Sequence, residues 1–498
     1  MRTIAWEVPD AQASRHPDRR FRRSKEESGK TRCNEAACQE SPMPARCIAL
    51  TIGCLLFAGA PTAIRAQSAA EWQALQAAAA SKSDKIMAEA NTHKGLLAQY
   101  QVMRQAYAGD DSPAFRLIFA QYVSWYQSFL GDYPAALESY SIGQPPLQDD
   151  SPSPLTAAGY TARPALDAIP ELARGYRIVL LNEAHNIPLT RSLTVQLLGR
   201  LRREGFNYFA AETLYEGDTA LPSRGYPVDA SGFYTREPVY AEMVRTALKL
   251  GFKVIAYEAT SDAVGSDARE TGQARNIEQR VFETDPQARL VVNAGYSHIV
   301  KSGAYLGGAS MAEHLYKLTR IPMLSVEQTM LYPHPSGSAD HPYYATVMQA
   351  LRPKEPIVFV NAAGEPWSLR PGYDVSVFFP PVQMLHGRPT WLSLGGLRRP
   401  YRVSGDRCRR HFPCLVEARY SDEGADAIPA DRMVLAQPPP MNTRSSIPVF
   451  GDYVSVPSGD LYLRPGRYRL SLITEDDKVV GKKDIVVAGA PASSSGQP

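Results

Sequence analysis

The pattern of apolar and polar positions changes abruptly near residue 176. From there, short apolar runs alternate with segments of helical period. Residues 177–183 (Arg-Ile-Val-Leu-Leu-Asn-Glu), 206–213, 253–258, 290–295 and 323–327 read as five strands. Residues 188–204, 237–250, 269–284 and 309–319 between them carry helical periodicity. Runs apolar at nearly every position are buried on both faces, and helical crossovers then demand a mainly parallel sheet flanked by helices. Two further strand-like runs, 357–360 and 375–379, extend this α/β domain over 176–385.

The flanks differ in texture. Residues 69–107 are proline-free and rich in Ala, Gln, Lys and Glu. Residues 113–139 add an aromatic stripe, Phe115, Phe119, Tyr122, Trp125, Tyr126 and Phe129. This predicts an amphipathic helical hairpin within a segment 67–140, its aromatics packing as core rather than as a ligand box. Residues 141–175 are proline-rich and read as a linker. Residues 386–490 alternate Thr, Val, Tyr and Arg with frequent turns, clearest at 461–473 and 478–487, and predict a small β-sandwich. Residues 491–498 read as a disordered tail.

Composition adds a compartment. The 498 residues are 44% hydrophobic and 21% charged, ordinary for a globular chain. The net charge of +3 is uneven: residues 1–66 hold 11 Lys/Arg and 7 Asp/Glu, and the rest hold 43 against 44. A near-neutral body leaves no footprint for nucleic acid. Within 1–66, Met43, Arg46, the apolar stretch 47–60 and the small residues to Ala66 have the pattern of a cleaved secretory signal. We expect translation to start at Met43, cleavage after Ala66, and a periplasmic or secreted protein beginning at Gln67. The mature chain would then have no transmembrane helix. The alternative is a basic arm followed by a signal anchor. Four of six cysteines precede Gln67, and Cys408 and Cys414 remain. In an oxidising compartment this pair predicts a disulfide rather than two free thiols. With His411 alone beside them, they do not complete a metal site.

The chemistry concentrates at the strand ends. The five runs end in Glu183-Ala184-His185, Glu212, Glu258, Tyr296-Ser297-His298 and Glu327. In open parallel sheets the cleft lies beyond the carboxyl ends of the strands. Acids are depleted in strands, so five such endings favour a site over chance placement. The set offers a carboxylate pair with one raised pKa as a base, a histidine proton shuttle, or ligands for a divalent metal. The bland alternative is buried acids satisfied by arginines and helix N-termini. On helix 269–284, Arg269, Gln273, Asn276 and Arg280 share one face. Arg269 would either neutralise Glu258 or grip an anionic group. His314 reads as a surface or packing residue, and His334 and His341 as exposed loop residues. No G-x-S-x-G, H-E-x-x-H, P-loop or G-x-G-x-x-G is present.

Four stretches, 181–186 (Leu-Asn-Glu-Ala-His-Asn), 209–213 (Phe-Ala-Ala-Glu-Thr), 269–277 (Arg-Glu-Thr-Gly-Gln-Ala-Arg-Asn-Ile) and 293–298 (Asn-Ala-Gly-Tyr-Ser-His), resemble in order the motifs of the erythromycin esterase/ChaN-like superfamily, related to the TIKI/TraB proteins. Asn182 stands where the opening Gly-Glu-x-His motif has glycine. The resemblance spans roughly 176–330 and leaves out the helical start and the β-rich end. It implies an α/β fold with the site at these strand ends. It also implies one of three activities: ester hydrolysis without a required metal, metal-dependent peptide cleavage, or haem binding. By residue match, Glu183, His185, Glu212 and His298 form the catalytic core, and the same four would hold a metal. Glu258, Arg269, Glu270, Asn276 and Tyr296 would support or bind substrate. For haem, the axial candidates are His298, Tyr296 and His185. The leading expectation is a hydrolase of ester or amide bonds acting on a small-molecule or peptide substrate. Its alternatives are a periplasmic haem or small-ligand binder and an envelope protein with a vestigial site.

Overall fold

A computed structural model describes residues 69–259, 266–436 and 457–489. The expected signal segment and the C-terminal tail lie outside them.

The helical start has four helices rather than a hairpin of two: α1 (Ala69–Ala90), α2 (Leu96–Ala108), α3 (Pro113–Phe129) and α4 (Tyr133–Ser139). Residues 91–95 turn between the first two. Pro113 opens α3, and Asp132 caps α4 by accepting from the Ala135 amide. The aromatic stripe of α3 is core, in line with its spacing: Phe115, Phe119, Tyr122, Trp125, Tyr126 and Phe129 are all buried.

The expected linker 141–175 contains elements of its own. β1 (Tyr160–Pro164) is an edge strand and α5 (Ala165–Ala173) follows directly. A strand of five residues ending at a proline has too little pattern to read from sequence, and its edge position tolerates the missing amide.

The sheet is built from β2 (Ile178–Glu183), β3 (Tyr208–Ala211), β4 (Lys253–Ala256), β5 (Leu290–Gly295), β6 (Met323–Leu331), β7 (Ile357–Asn361) and β8 (Val375–Phe378), with β1. The order is β1-β7-β8-β6-β2-β5-β3-β4. All neighbours from β8 to β4 pair in parallel, while β7 runs antiparallel to β8 and β1 antiparallel to β7. The helices between strands are α6 (Leu189–Arg203), the short α7 (Leu221–Arg224), α8 (Pro238–Lys249), α9 (Ser266–Ile277), α10 (Met311–Thr319) and α11 (Pro342–Leu351). Alternate strand residues serve two cores. Val179, Leu181 and Val291 pack with α6, α8 and the N-terminal helices, and Ile178, Leu180 and Val292 pack with α9, α10 and α11. Register aligns the ends that matter: Glu183 sits opposite Gly295, and Ala211 opposite Asn293.

Two expectations change here. β6 does not end at Glu327 but runs on to Leu331, pairing there with Phe378 of β8. His334 and His341 are buried rather than exposed, because the segment before β1 lies over them. His334 binds Asp340 and the Ile142 carbonyl, each at 2.8 Å. His341 caps α11 and meets Asp150 at 3.1 Å.

The C-terminal part has a two-residue hairpin, β9 (Met384–Leu385) with β10 (Arg388–Pro389), and two antiparallel sheets. One sheet pairs β11 (Arg399–Ser404) with a later strand. β12 (Cys414–Tyr420) and β13 (Asp431–Leu435) belong to the other. Next come β14 (Ser458–Leu463), the partner of β11, then β15 (Gly466–Thr474) and β16 (Val479–Val487). The larger sheet has the order β13-β12-β15-β16. The two sheets share one apolar core, to which Val403 and Leu461 contribute from one side and Val416 and Leu470 from the other. Cys408 and Cys414 are bonded, with Cα atoms 6.2 Å apart, and Arg409, Arg410 and His411 are exposed on the loop they close. Buried ion pairs tie this part to α8: Arg245 grips Glu423 at 2.7 and 2.6 Å, and Glu242 pairs with Arg398 and Arg464. Among the described residues, no helix is long and apolar enough to cross a membrane.

Candidate active site

The end of β2 delivers the first half. Glu183 is buried, and its two oxygens accept from Arg191 Nη2 at 2.7 Å and Nε at 2.8 Å. Asn293 of β5 adds a bond of 2.7 Å. Arg191 is itself fully buried on α6 and also holds the His185 carbonyl at 2.9 Å and Glu237 at 3.2 Å. Burial raises the Glu183 carboxyl, but the bidentate guanidinium outweighs it, with a smaller contribution from His185. The net shift is downward. His185 Nδ1 lies 3.3 Å from Glu183. Its ring stacks on Tyr234 with centroids 4.2 Å apart and meets the edge of Tyr296 at 5.0 Å. The far edge of the ring presses on Gly295, where an added Cβ would collide with His185 Cε1 and fall 3.0 Å from Glu212 Oε2. Only glycine leaves room for the imidazole there.

The second half sits beyond β5. His298 Nδ1 is 2.8 Å from Glu270, whose carboxylate also accepts from the Met311 amide at the start of α10 at 2.7 Å. His298 Nε2 faces Glu212 at 3.4 Å, Arg269 Nη1 at 3.3 Å and the Tyr305 hydroxyl at 3.5 Å. Burial would lower the His298 pKa, but Glu212 and Glu270 outweigh it, and the net shift is upward. Glu212 is drawn well below the carboxylate range. Burial opposes this, and His298, Arg269 and His185 override it. Its other oxygen accepts from the Gly295 amide.

Of the supporting residues, Glu258 is half-buried and takes Arg269 bidentately at 3.0 and 2.8 Å, with Gln273 at 2.9 Å. Arg269 also reaches Glu212 at 2.9 Å. Of its two expected roles, neutralising carboxylates is therefore the one taken. Asn276 does not reach the cluster. Its amide binds the Tyr257 and Glu258 carbonyls at 3.2 and 2.8 Å and holds the end of β4. Tyr296 has a left-handed backbone, φ 40°, and its carbonyl accepts from Asn182 at 2.8 Å. Through that bond Asn182, which stands in the place of the motif glycine, ties the turn after β5 to β2. Asn182 also accepts from the Gln328 amide at 2.6 Å. Glu327 stands apart within β6, bonded to Asn182 and Thr329, and burial pushes its carboxyl up.

The expected carboxylate base with a raised pKa is absent from the cluster. Glu183 and Glu212 are both shifted downward because each faces a guanidinium. Four contributors do not stand out in the sequence: Arg191, Asn293, Tyr234 and Gly295. Asn293 and Gly295 lie inside a stretch that carries the resemblance. Arg191, eight residues past Glu183 on an apolar helix face, is the one with a local signal. As metal ligands, Glu183, His185, Glu212 and His298 fit poorly, because arginines and backbone amides occupy the carboxylate lone pairs. Among the described residues no three His, Cys, Asp or Glu converge in a metal-binding geometry. As axial haem ligands the histidines also fit poorly. The His185 ring is enclosed by two tyrosines and both His298 nitrogens face partners.

No family model matches the chain, and no curated protein does. Solved structures match over less than half of it. The type III effector HopBA1 is 11% identical, with 45% of this chain and 99% of that one covered and a TM-score of 0.29. A structure described as bacterial protein toxins is 12% identical, covering 46% and 52%, with a TM-score of 0.27. RRSP, a MARTX toxin effector domain from Vibrio vulnificus CMCP6, is 14% identical, covering 46% and 51%, with a TM-score of 0.23. This chain spans about half the length of the latter two. Likeness at these scores carries no argument about function.

Proposed function

We propose that the protein is a hydrolase of ester or amide bonds in a small molecule or peptide, working in the periplasm or outside the cell. The observation that carries this reading is the pair of differently equipped histidines beside Glu212. His298, flanked by two carboxylates that favour its protonated form, supplies a proton. His185 has its carboxylate partner already neutralised by Arg191. With its Nδ1 proton directed at Glu183, Nε2 is the acceptor that takes a proton from water. The hydroxide adds to the carbonyl, the C–O or C–N bond breaks, and His298 protonates the leaving group. The proton on His185 then returns the pair to its starting state through solvent. Arg269 positions Glu212 and His298 and disperses their charge.

The test is a panel of ester and amide substrates with the purified full chain, alongside His185→Ala and His298→Ala. Turnover confined to the wild type supports the reading, and equal rates in all three overturn it. The compartment is tested by mass spectrometry of the native protein, where an N-terminus near Gln67 is expected.

A further inference from the structure

The N-terminal helices touch the His185 half of the site along three separate lines. From α4, the Tyr133 hydroxyl donates to Glu237 Oε1 at 3.0 Å. Glu237 is the N-cap of α8, accepting from the Val239 and Tyr240 amides at 2.8 Å each, and it is the second carboxylate on Arg191. Arg191 in turn holds both Glu183 and the His185 carbonyl. From α3, Ser124 Oγ accepts from Asn186, the residue after His185, at 2.8 Å. The same amide reaches the Tyr140 carbonyl at 2.7 Å. Also from α3, Trp125 packs edge-on against Tyr234, the ring that stacks on His185. Asn186, Tyr133, Glu237 and Arg191 are all buried, so each bond lies where water cannot replace it. The His298 half is held from elsewhere. Its neighbours Glu270, Arg269, Tyr305 and Glu212 come from α9, the loop after β5 and the end of β3.

We infer that the α3–α4 segment is a positioning element for His185, acting through Tyr133 on Glu237 and Arg191 and through Ser124 on Asn186. This gives a role to the part of the chain that the superfamily motifs do not reach. It rests on His185 being a proton carrier. The imidazole must be held in one tautomer and orientation to be useful, and a ring fixed only by stacking would rotate.

The experiment uses the full chain and the variants Tyr133→Phe, Ser124→Ala and their combination. Tyr344→Phe is the control, since its buried hydroxyl has no partner among the described residues. The first readout needs no substrate: long-range nitrogen–proton NMR of the histidine rings reports tautomer and environment. The double variant is expected to move the His185 signals and leave those of His298 in place, while Tyr344→Phe moves neither. On any substrate the wild type turns over, kcat should fall about tenfold with KM within about twofold, as for a misplaced catalytic group. Unmoved His185 signals, or His298 signals that move as much, overturn the inference. Absence of turnover in the wild type counts against the hydrolase reading alone, and the NMR arm still decides this one.

Discussion

The two histidines of the cluster lie at the ends of parallel strands and share Glu212, yet they are equipped differently. His298 stands between Glu270 at 2.8 Å and Glu212 at 3.4 Å, and the nearby Arg269 is divided among three partners. His185 stands beside Glu183, whose charge is met by Arg191 through two bonds. The same residue pair, a histidine and a glutamate, thus has different surroundings depending on where the arginine points. The arginine of the first half is aimed at the glutamate itself, whereas Arg269 is shared with Glu212 and Glu258 and leaves Glu270 to His298, whose pKa is raised. The division of labour proposed for the two rings rests on these neighbours, and it can be tested.

Removing either imidazole should have the largest effect. His185→Ala and His298→Ala are each expected to lower kcat by roughly 10²–10⁴-fold, measured on the first substrate found, with the double variant far from additive. If one of them retains full rate, the comparison collapses to a single working histidine.

Arg191→Met should follow. It leaves Glu183 and Glu237 buried and uncompensated, and breaking a buried pair this way costs about 3–5 kcal/mol in denaturant unfolding. Glu183 would then face His185 without its guanidinium, as Glu270 faces His298, so the two halves would become alike. Stability unchanged within about 1 kcal/mol would show that Arg191 does not carry the burden assigned to it.

Reduction of Cys408–Cys414 serves as the neutral reference, because this pair belongs to the C-terminal core and not to the site. So short a loop predicts a loss of about 2–3 kcal/mol in unfolding free energy with turnover retained. Loss of turnover in step with reduction would place the C-terminal sheets inside the comparison.

The smallest effect is a change of pH dependence. The folded pKa of His298 lies above its ordinary 6.5, so its stabilisation is fully present below that value and is lost as pH rises through the folded pKa. Glu183 and Glu212 lie below their ordinary 4.5, so theirs is present above 4.5 and lost as pH falls. Unfolding free energy should therefore be highest between 4.5 and 6.5 as far as these groups contribute. Glu270→Gln should move the alkaline limb down by about one pH unit and leave the acid limb alone. A shift in the acid limb instead would mean that Glu270 acts on Glu183 or Glu212 rather than on His298.

The chain pattern by itself determined the parallel sheet, five of its strands and most of the acids and histidines at their ends. Short continuous apolar runs and period-3.6 patterning are local and survive in any sequence that folds this way. It also determined the aromatic core of α3 and, with the expected oxidising compartment, predicted the pairing of Cys408 with Cys414. It did not determine where β6 stops, because Glu327 looks like a strand end unless the neighbour β8 is known. Nor did it find β1 and α5 in a proline-rich stretch, or the burial of His334 and His341, since all of these depend on segments far away in sequence. Only the tertiary structure decided which carboxylate each arginine meets. That choice depends on α6, α9 and the N-terminal helices arriving at the same strand ends from different parts of the chain.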